Sequence, residues 1–455
     1  RYNPQSRTIL SVISLVSYVL TKVAVTVYAG GLVFQQVFGI KELWGIDFFW
    51  IAAIGLVVLT ALYTIFGGMK SVLYTSVLQT PILLLGSLII LVLGFKELGG
   101  WDEMMRVCGA VTVNDYGDTM TNLIRSNDDA NFPWLGALIG SAIIGFWYWC
   151  TDQFIVQRVL SGKNEMEARR GTIFGAYLKL LPVFLFLIPG MIAFALHQKY
   201  IGAGGEGFLP MLANGTANAD AAFPTLVAKL LPAGVKGLVV CGILAALMSS
   251  LASLFNSSAM LFTIDFYKRF KPETPEKKLV GIGQIATVVI VVLGILWIPI
   301  MRSVGDVLYT YLQDVQSVLA PGIAAAFLLG ICWKRTSAQG GMWGLISGMV
   351  IGLTRLGAKV YYSNAGEVAD STFKYLFYDM NWLFFCGWMF LFCIIVVIVV
   401  SLATEAPTAE KIQGLVFGTA TKEQKAATRA SWNHWDIIHT VIILSITAAF
   451  YWYFW

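Results

Sequence analysis

Several polar side chains stand inside long apolar stretches, where they could bind a ligand or an ion. The first group is an aromatic run from Phe146 to Trp149 that leads directly into Thr151, Asp152 and Gln153. An aromatic ring can stack on the apolar face of a sugar while amides and carboxylates bond the sugar hydroxyls. The same run would suit an aromatic belt at a membrane interface, and both interpretations stay open.

A second group consists of hydroxyl side chains. On a helix, Ser249, Ser253 and Asn256 share one face, and Ser250, Ser253 and Ser257 also lie close together. Hydroxyl oxygens suit a hard cation such as sodium, which prefers oxygen ligands. Hydroxyl stripes also hold helices together in membranes, so helix packing is the alternative interpretation.

Two long polar side chains complete the set of candidates. Lys179 lies in an apolar stretch close to a proline, where it could donate hydrogen bonds to a hydroxylated ligand or snorkel to the interface. Gln313 precedes a Pro-Gly step at 321–322. Such a step predicts an interrupted helix, and interrupted helices mark binding sites in secondary transporters. Lys22, deeper in its stretch, is assigned to an ion pair with a neighbouring span.

The composition shows which solvent surrounds these residues. The chain has 455 residues, of which 57% are hydrophobic and 13% charged, whereas soluble domains carry about 25% charge. The mean hydropathy is +0.73, so the lipid bilayer is the expected partner. The net charge of +5 is too small for nucleic-acid binding. The sequence contains no phosphate-binding loop and no catalytic triad, which indicates that the protein is not an enzyme.

Eleven apolar stretches are long enough to cross a bilayer as helices, and none alternates as a barrel strand would. The predicted fold class is therefore all-α and polytopic. Lys and Arg concentrate in one set of alternate loops, which places residue 1 in the cytoplasm and the C-terminus outside. The predicted spans are 8–36, 46–66, 72–95, 133–158, 172–196, 236–265, 279–301, 306–333, 340–358, 381–403 and 435–455.

At this point the sequence resembles the sodium/solute symporter family, and specifically its sodium–glucose cotransporter branch. The segment 63–71 is similar to the Gly-Gly signature of that family, and 147–158 is close to a motif of the sugar carriers. The segments 320–322 and 332–335 also match the family pattern.

The resemblance implies a fold of two inverted five-helix repeats with peripheral helices. The chain would form a single transporter domain, with 1–95 as the rest of the first repeat, 133–333 as the second repeat and 340–455 as peripheral helices. About fourteen spans are expected in this branch, so we expect the helices that precede the third core helix to be absent from this chain.

The resemblance also implies a sugar site. Lys179 and Gln313 match sugar-bonding positions, Tyr148 matches the inner-gate ring that stacks on the pyranose, and Trp149 lies beside it. Tyr309 stands where an outer-gate aromatic is found.

A sodium site is implied as well, with ligands from the Ala246 carbonyl and the hydroxyls of Ser249 and Ser250. Two positions depart from the family pattern. Ser76 replaces a usual aspartate, which makes a second sodium ion less expected, and Gly145 replaces a polar sugar contact, which bears on the preference among hexoses and inositols.

The predicted function is therefore sodium-coupled symport of a glucose- or galactose-type hexose across the cell membrane, by alternating access. Its partners would be a small-molecule sugar, the sodium ion and the bilayer. A sodium–myo-inositol or other polyol symporter and a sugar sensor that does not transport remain alternatives.

Overall fold

The structure is a computed structural model that describes residues 1–212, 215–304, 307–365 and 369–454. The side chains of 63, 65–73, 75, 76, 78 and 302–304 lie outside this description. The Gly-Gly signature, Ser76 and Trp455 therefore fall wholly or mainly outside the described side chains.

Helices make up nearly all the regular structure of the described residues. The α-helices are α1 Pro4–Ser17, α2 Ala24–Phe38, α3 Phe48–Leu98, α4 Trp101–Gly109, α5 Trp134–Cys150, α6 Gln153–Leu160, α7 Glu165–Pro182, α8 Ile188–Gly202, α9 Ala222–Leu230, α10 Ala233–Met260, α11 Lys268–Phe270, α12 Glu276–Val304, α13 Leu308–Cys332, α14 Ala338–Asn364, α15 Thr372–Lys374, α16 Trp382–Ala403, α17 Ala409–Ile412, α18 Lys422–Ala430 and α19 His434–Tyr453. The π-helical segments are Tyr18–Val23, Val183–Leu187, Leu261–Tyr267 and Tyr375–Asp379. A 3₁₀ turn covers Ala219–Ala221, and a two-stranded antiparallel hairpin pairs β1 Glu42–Leu43 with β2 Ile46–Asp47.

The predicted spans all fall on helices. Within the described residues, eight helical stretches are long and apolar enough to cross a membrane, and the bent pair α5–α6 makes up to nine. The predicted spans 46–66 and 72–95 overlap the single helix α3, which begins at Phe48 after β2. The predicted span 340–358 lies in α14.

The predicted interruption at 321–322 is wrong, because α13 continues as an α-helix with Pro321 inside it. A proline removes one intrahelical hydrogen bond, but this part of α13 is buried against α14. A Cβ on Gly322 would lie 3.1 Å from the Gly344 carbonyl oxygen, so the glycine permits a close helix approach that favours the continuous helix. The break lies elsewhere, between α5 and α6, which bend by 48°.

The chain divides into two compact units built from non-contiguous segments. The first unit consists of Arg1–Thr21, Arg125–Phe174 and Ser257–Ile442. The second unit consists of Lys22–Ile124, Gly175–Asn256 and Ile443–Trp455.

The first unit is centred on α13, α14 and α16, which pack through glycines. A Cβ on Gly352 would lie 2.2 Å from the carbonyl oxygen of Val318, and one on Gly344 would lie 2.4 Å from Val397 Cγ2. Small residues at such crossings let helix backbones approach closely, as is common in membrane proteins. The crossing of α13 and α14 therefore leaves no room for a larger side chain.

The second unit has its own apolar core, formed by α3, α8, α9 and α10. Ile192, Leu196, Leu226 and Val239 are among its buried side chains. A Cβ on Gly86 would lie 2.5 Å from Val239 Cγ2, so α3 and α10 also approach closely at a glycine. This contact fixes the first half of α10, the helix that carries the serine face.

Candidate functional site

Thr151 and Asp152, in the polar triplet that follows the aromatic run, stabilise the junction of α5 and α6. Asp152 is buried, and its Oδ1 accepts hydrogen bonds from the Tyr18 hydroxyl at 3.0 Å and from the Phe154 amide at 3.2 Å. The second bond caps the N-terminus of α6, a position that aspartate favours. Thr151 Oγ1 donates to the Trp147 carbonyl at 2.8 Å and closes the end of α5. These bonds fix the 48° bend between α5 and α6.

The bend holds the two predicted inner aromatics at the end of α5. The rings of Tyr148 and Trp149 meet edge to face, with centroids 5.1 Å apart. Tyr148 is half-buried and packs against the core of the first unit, whereas 49% of Trp149 is exposed. Of the two rings, Tyr148 is thus the one held in place by packing.

The predicted sugar-bonding Gln313 and the predicted outer-gate Tyr309 contact each other. Gln313 Nε2 donates to the Tyr309 hydroxyl at 2.9 Å, one helical turn apart on α13. Tyr309 is 56% exposed, and its ring centroid lies 6.5 Å from that of Phe132. The hydrogen bond to Tyr309 thus helps to orient the side-chain amide of Gln313.

Phe132, just before the start of α5, shows where Tyr309 lies relative to Tyr148. Tyr309 therefore lies beside the beginning of α5, while Tyr148 lies near its end, about 21 Å along the helix from Trp134 at 1.5 Å per residue. The aromatic residues do not form a single cage around one point. They flank α5 at two levels, as separate outer and inner rings would.

Lys179 belongs to the second unit, unlike Tyr148, Trp149, Tyr309 and Gln313. It lies three residues before Pro182, which ends α7, and the π-helical segment Val183–Leu187 follows at once. Proline lacks the amide hydrogen for a regular helical bond, and π-helical turns are frequent at functional sites. The role of Lys179 as a sugar contact stays a prediction.

The three predicted sodium ligands share one face of α10 in the second unit, because Ala246, Ser249 and Ser250 are three and four residues apart. Ser249 is buried, and its carbonyl accepts the Ser253 hydroxyl at 3.0 Å. The hydroxyl of Ser250 makes no hydrogen bond within the described residues. Its oxygen lone pairs are therefore available to a cation.

A further polar cluster, which the sequence did not single out, lies between α13 and α14. Asp314 forms a close ion pair with Lys359, and its Oδ1 lies 3.8 Å from a guanidinium nitrogen of Arg355. Arg355 is fully buried and donates to the carbonyls of Leu376 and Met380 at 3.3 and 2.7 Å. The available sequence signal was a charge inside each of two predicted spans.

Two more positions are described by their surroundings. Cys108 is buried in α4, where its Sγ lies 3.7 Å from the Met191 carbonyl oxygen. Burial raises the pKa of this thiol to about 11, so Cys108 is a packing residue. A Cβ on Gly145 would meet no atom within 4 Å. The surface of α5 at Gly145 is therefore open.

Comparison with known proteins identifies the class. The model of the sodium:solute symporter family matches residues 1–348. The chain belongs to the sodium:solute symporter family.

The relatives are cotransporters rather than enzymes. The chain is 35% identical to the sodium/mannose cotransporter SLC5A10 of Bos taurus, over 100% of this chain and 79% of that protein. It is 35% identical to the sodium/myo-inositol cotransporter 2 of Homo sapiens over 90% of this chain and 62% of that protein. It is also 35% identical to the sodium/glucose cotransporter 4 of Mus musculus, over 90% of this chain and 60% of that protein. The chain thus spans about three fifths to four fifths of these relatives.

A solved structure confirms the fold. A Na+-coupled sialic acid symporter in a substrate-bound outward-open state matches with a TM-score of 0.65 and 21% identity. The match covers 90% of this chain and 76% of that one. The predicted all-α, polytopic symporter fold is therefore confirmed, as is the multi-pass membrane character of the chain.

Proposed function

We propose that this protein carries a hexose of the glucose or galactose type into the cell together with sodium ions, by alternating access. The observation that carries the proposal is the arrangement along α5 and α13. Tyr309 lies beside the beginning of α5, Gln313 donates to its hydroxyl from one helical turn further along α13, and a half-buried Tyr148 lies near the end of α5. Amides that bond hydroxyls, combined with rings that stack on apolar faces, are the means by which a pocket binds a sugar.

The sodium part of the proposal is supported by family membership and by the serine face of α10. Ala246, Ser249 and Ser250 offer neutral oxygens to a hard cation. A ligand set without a carboxylate holds the ion weakly enough for it to leave in the cytoplasm. Lys179 is proposed as a hydrogen-bond donor to the sugar, and Trp149 as a ring beside the stacking Tyr148.

The energetics favour inward transport. Moving one positive charge down a potential of 100 mV releases about 2.3 kcal/mol, and the sodium gradient adds to that. Binding of sodium must tighten sugar binding by the same factor by which sugar tightens sodium binding. We place residue 1 in the cytoplasm and the C-terminus outside, as the positive charges of the loops predict.

A polyol such as myo-inositol is the second candidate substrate. The open space at Gly145, together with relatives named for mannose, myo-inositol and glucose, favours testing several rings of similar size. A cyclitol presents hydroxyls around its whole ring, so it would use the Gln313 amide but stack less well on Tyr148 than a pyranose would.

The test is uptake of labelled glucose, galactose, mannose and myo-inositol into proteoliposomes, with an inward sodium gradient and a potassium control. We expect sodium-dependent accumulation of a hexose, lost in Lys179→Ala and retained in Lys96→Ala, a control at the exposed end of α3. Accumulation of myo-inositol alone would select the polyol candidate. Uptake that is indifferent to sodium would contradict symport. Sodium currents without accumulated sugar would indicate a sensor instead.

A further inference from the structure

A cavity of about 400 Å³ lies in the first unit, between the beginning of α7 and the beginning of α19. One wall comes from α7, with Arg169 and Ile173. The other comes from the segment that leads into α19, with Trp432, Asp436 and Ile437. The cavity shares none of the residues assigned above to sugar or sodium, so it needs an account of its own.

The cavity holds one cation and one anion that do not neutralise each other. Arg169 donates from one terminal nitrogen to Ser431 Oγ at 3.1 Å, while its buried Nε has no hydrogen-bond partner among the described residues. The carboxylate of Asp436 accepts only the Asn433 backbone amide, at 2.9 Å, within the described part of the chain. No ion pair joins Arg169 to Asp436 among the described residues.

Only one terminal nitrogen of Arg169 is hydrogen-bonded within the described residues, so the other terminal nitrogen, which is not among the buried unpartnered atoms, can donate to an acceptor in the cavity. Arginine binds phosphate oxygens with particular geometric fit, because its planar group offers several parallel donors. A carboxylate with a free oxygen offers the complementary partner for an ammonium group. The charge pattern of the cavity thus fits a ligand that carries both signs.

The position of the cavity indicates that the ligand comes from the lipid bilayer. Arg169 lies near the start of the apolar stretch Glu165–Gly202, and Asp436 near the start of the apolar stretch His434–Tyr453. Both polar residues therefore stand at the membrane–water interface. Trp432, whose ring lies 4.1 Å from the Arg429 guanidinium, is typical of this level. The remaining wall, with Ile173 and Ile437, is apolar and suits acyl chains.

We propose that this cavity binds a membrane phospholipid whose headgroup carries a phosphate and a primary ammonium, the phosphatidylethanolamine class. The phosphate accepts hydrogen bonds from Arg169, and the ammonium donates to Asp436. Basic pockets between membrane helices commonly bind lipid headgroups, but here Asp436 disfavours a purely anionic lipid. A trimethylammonium headgroup has no N–H to donate, which disfavours phosphatidylcholine.

The test is native mass spectrometry of the purified protein, equilibrated with equal amounts of phosphatidylethanolamine, phosphatidylcholine and phosphatidylglycerol. We expect the ethanolamine lipid to be retained about tenfold over either competitor, the effect of one charge-assisted hydrogen bond. Arg169→Gln should abolish retention of all three lipids. Asp436→Asn should keep retention of the lipids but remove the preference for ethanolamine over both choline and glycerol headgroups. Arg170 is the exposed neighbour of Arg169 and does not line the cavity, so the control Arg170→Gln should behave as wild type.

Equal retention of the three lipids, or the same loss in Arg170→Gln as in Arg169→Gln, would overturn the proposal. A preference for phosphatidylglycerol that survives Asp436→Asn would also overturn it, in favour of a simple anion site. Soluble glycerophosphoethanolamine should not displace the lipid at matched concentration, because it lacks the acyl chains that contact the apolar wall. Displacement by this compound would assign the cavity to a free phosphoester. Unchanged helix content by circular dichroism confirms that each variant is folded.

Discussion

Two buried polar groups, one in each unit, use opposite chemistry. Between α13 and α14 of the first unit, Asp314 faces Lys359 and Arg355, and only 8% of the aspartate is exposed. On α10 of the second unit, Ser249 and Ser250 offer only neutral oxygens. The first group is a set of full charges whose main partners are inside the protein. The second has a hydroxyl without an internal partner.

The difference is the one expected between a structural cluster and the proposed sodium site. A buried charge is tolerated only when partners compensate it, and removing one partner leaves the others uncompensated. Arg355 is held by two carbonyls and lies 4.1 Å above the Phe385 ring, so its position is fixed from several sides. Such a cluster has the contacts of a structural element. A neutral hydroxyl can bind a cation and release it again within one transport cycle.

The largest expected effect is that of Asp314→Ala. The substitution leaves Lys359 and Arg355 without their carboxylate, which should lower the free energy of unfolding by about 3 kcal/mol or more. Denaturant unfolding in detergent, followed by tryptophan fluorescence, measures this loss. Asp370→Ala is the matched control, because its ion pair with Lys374 at 2.8 Å is exposed and should not contribute measurably. Equal effects of the two substitutions would show that the buried cluster is not structural.

A second prediction compares the helix crossings of the two units. In Gly352→Ala the new Cβ meets the carbonyl oxygen of Val318 at 2.2 Å, and a backbone atom cannot move aside. In Gly86→Ala the new Cβ meets a methyl group of Val239 at 2.5 Å, and a side chain can change rotamer. Overpacking costs about 1–3 kcal/mol. We expect Gly352→Ala near the upper end and Gly86→Ala near the lower end.

The same unfolding experiment checks this order, with Gly145→Ala as a control whose Cβ meets nothing within 4 Å. A larger loss in Gly86→Ala than in Gly352→Ala would mean that the second unit is the more tightly constrained. The comparison of the two units would then be reversed.

Sequence reasoning predicted the helices well, because a bilayer-spanning helix needs a long apolar stretch and little else. It also singled out the aromatic and serine positions by residue type, and their roles in binding stay predictions. It failed at 321–322, where a Pro-Gly step predicted a break. The reason is tertiary: the space at Gly322 is filled by the backbone of α14, and a sequence does not show which helix packs against which.

The Asp314 cluster was missed for a related reason. Its three charges are 45 or fewer residues apart in the chain but belong to two helices, so no short motif joins them. Asp152 shows what the surroundings add. The sequence left a ligand wall and an interface belt open for its polar triplet, and in the structure the carboxylate caps α6 and accepts the Tyr18 hydroxyl. Residue types identify candidates, but only the surroundings show whether a polar atom is already bonded.

The smallest expected effect concerns two serines of α10, one with and one without a hydrogen-bond partner inside the described part of the protein. In Ser250→Ala a hydroxyl without an internal partner is lost, so the sodium concentration for half-maximal uptake should rise by about tenfold, the value of one ligand bond. In Ser253→Ala the lost hydroxyl already donates to the Ser249 carbonyl, so sodium affinity should hardly change.

Sodium titrations of sugar uptake in proteoliposomes measure both variants. Linkage requires that Ser250→Ala also weaken sugar binding at a fixed, subsaturating sodium concentration. If Ser253→Ala instead raised the sodium requirement and Ser250→Ala did not, the cation would lie against the internally bonded hydroxyl. Ser253 would then be the sodium ligand and Ser250 would serve helix packing, which is the reverse of the proposed roles.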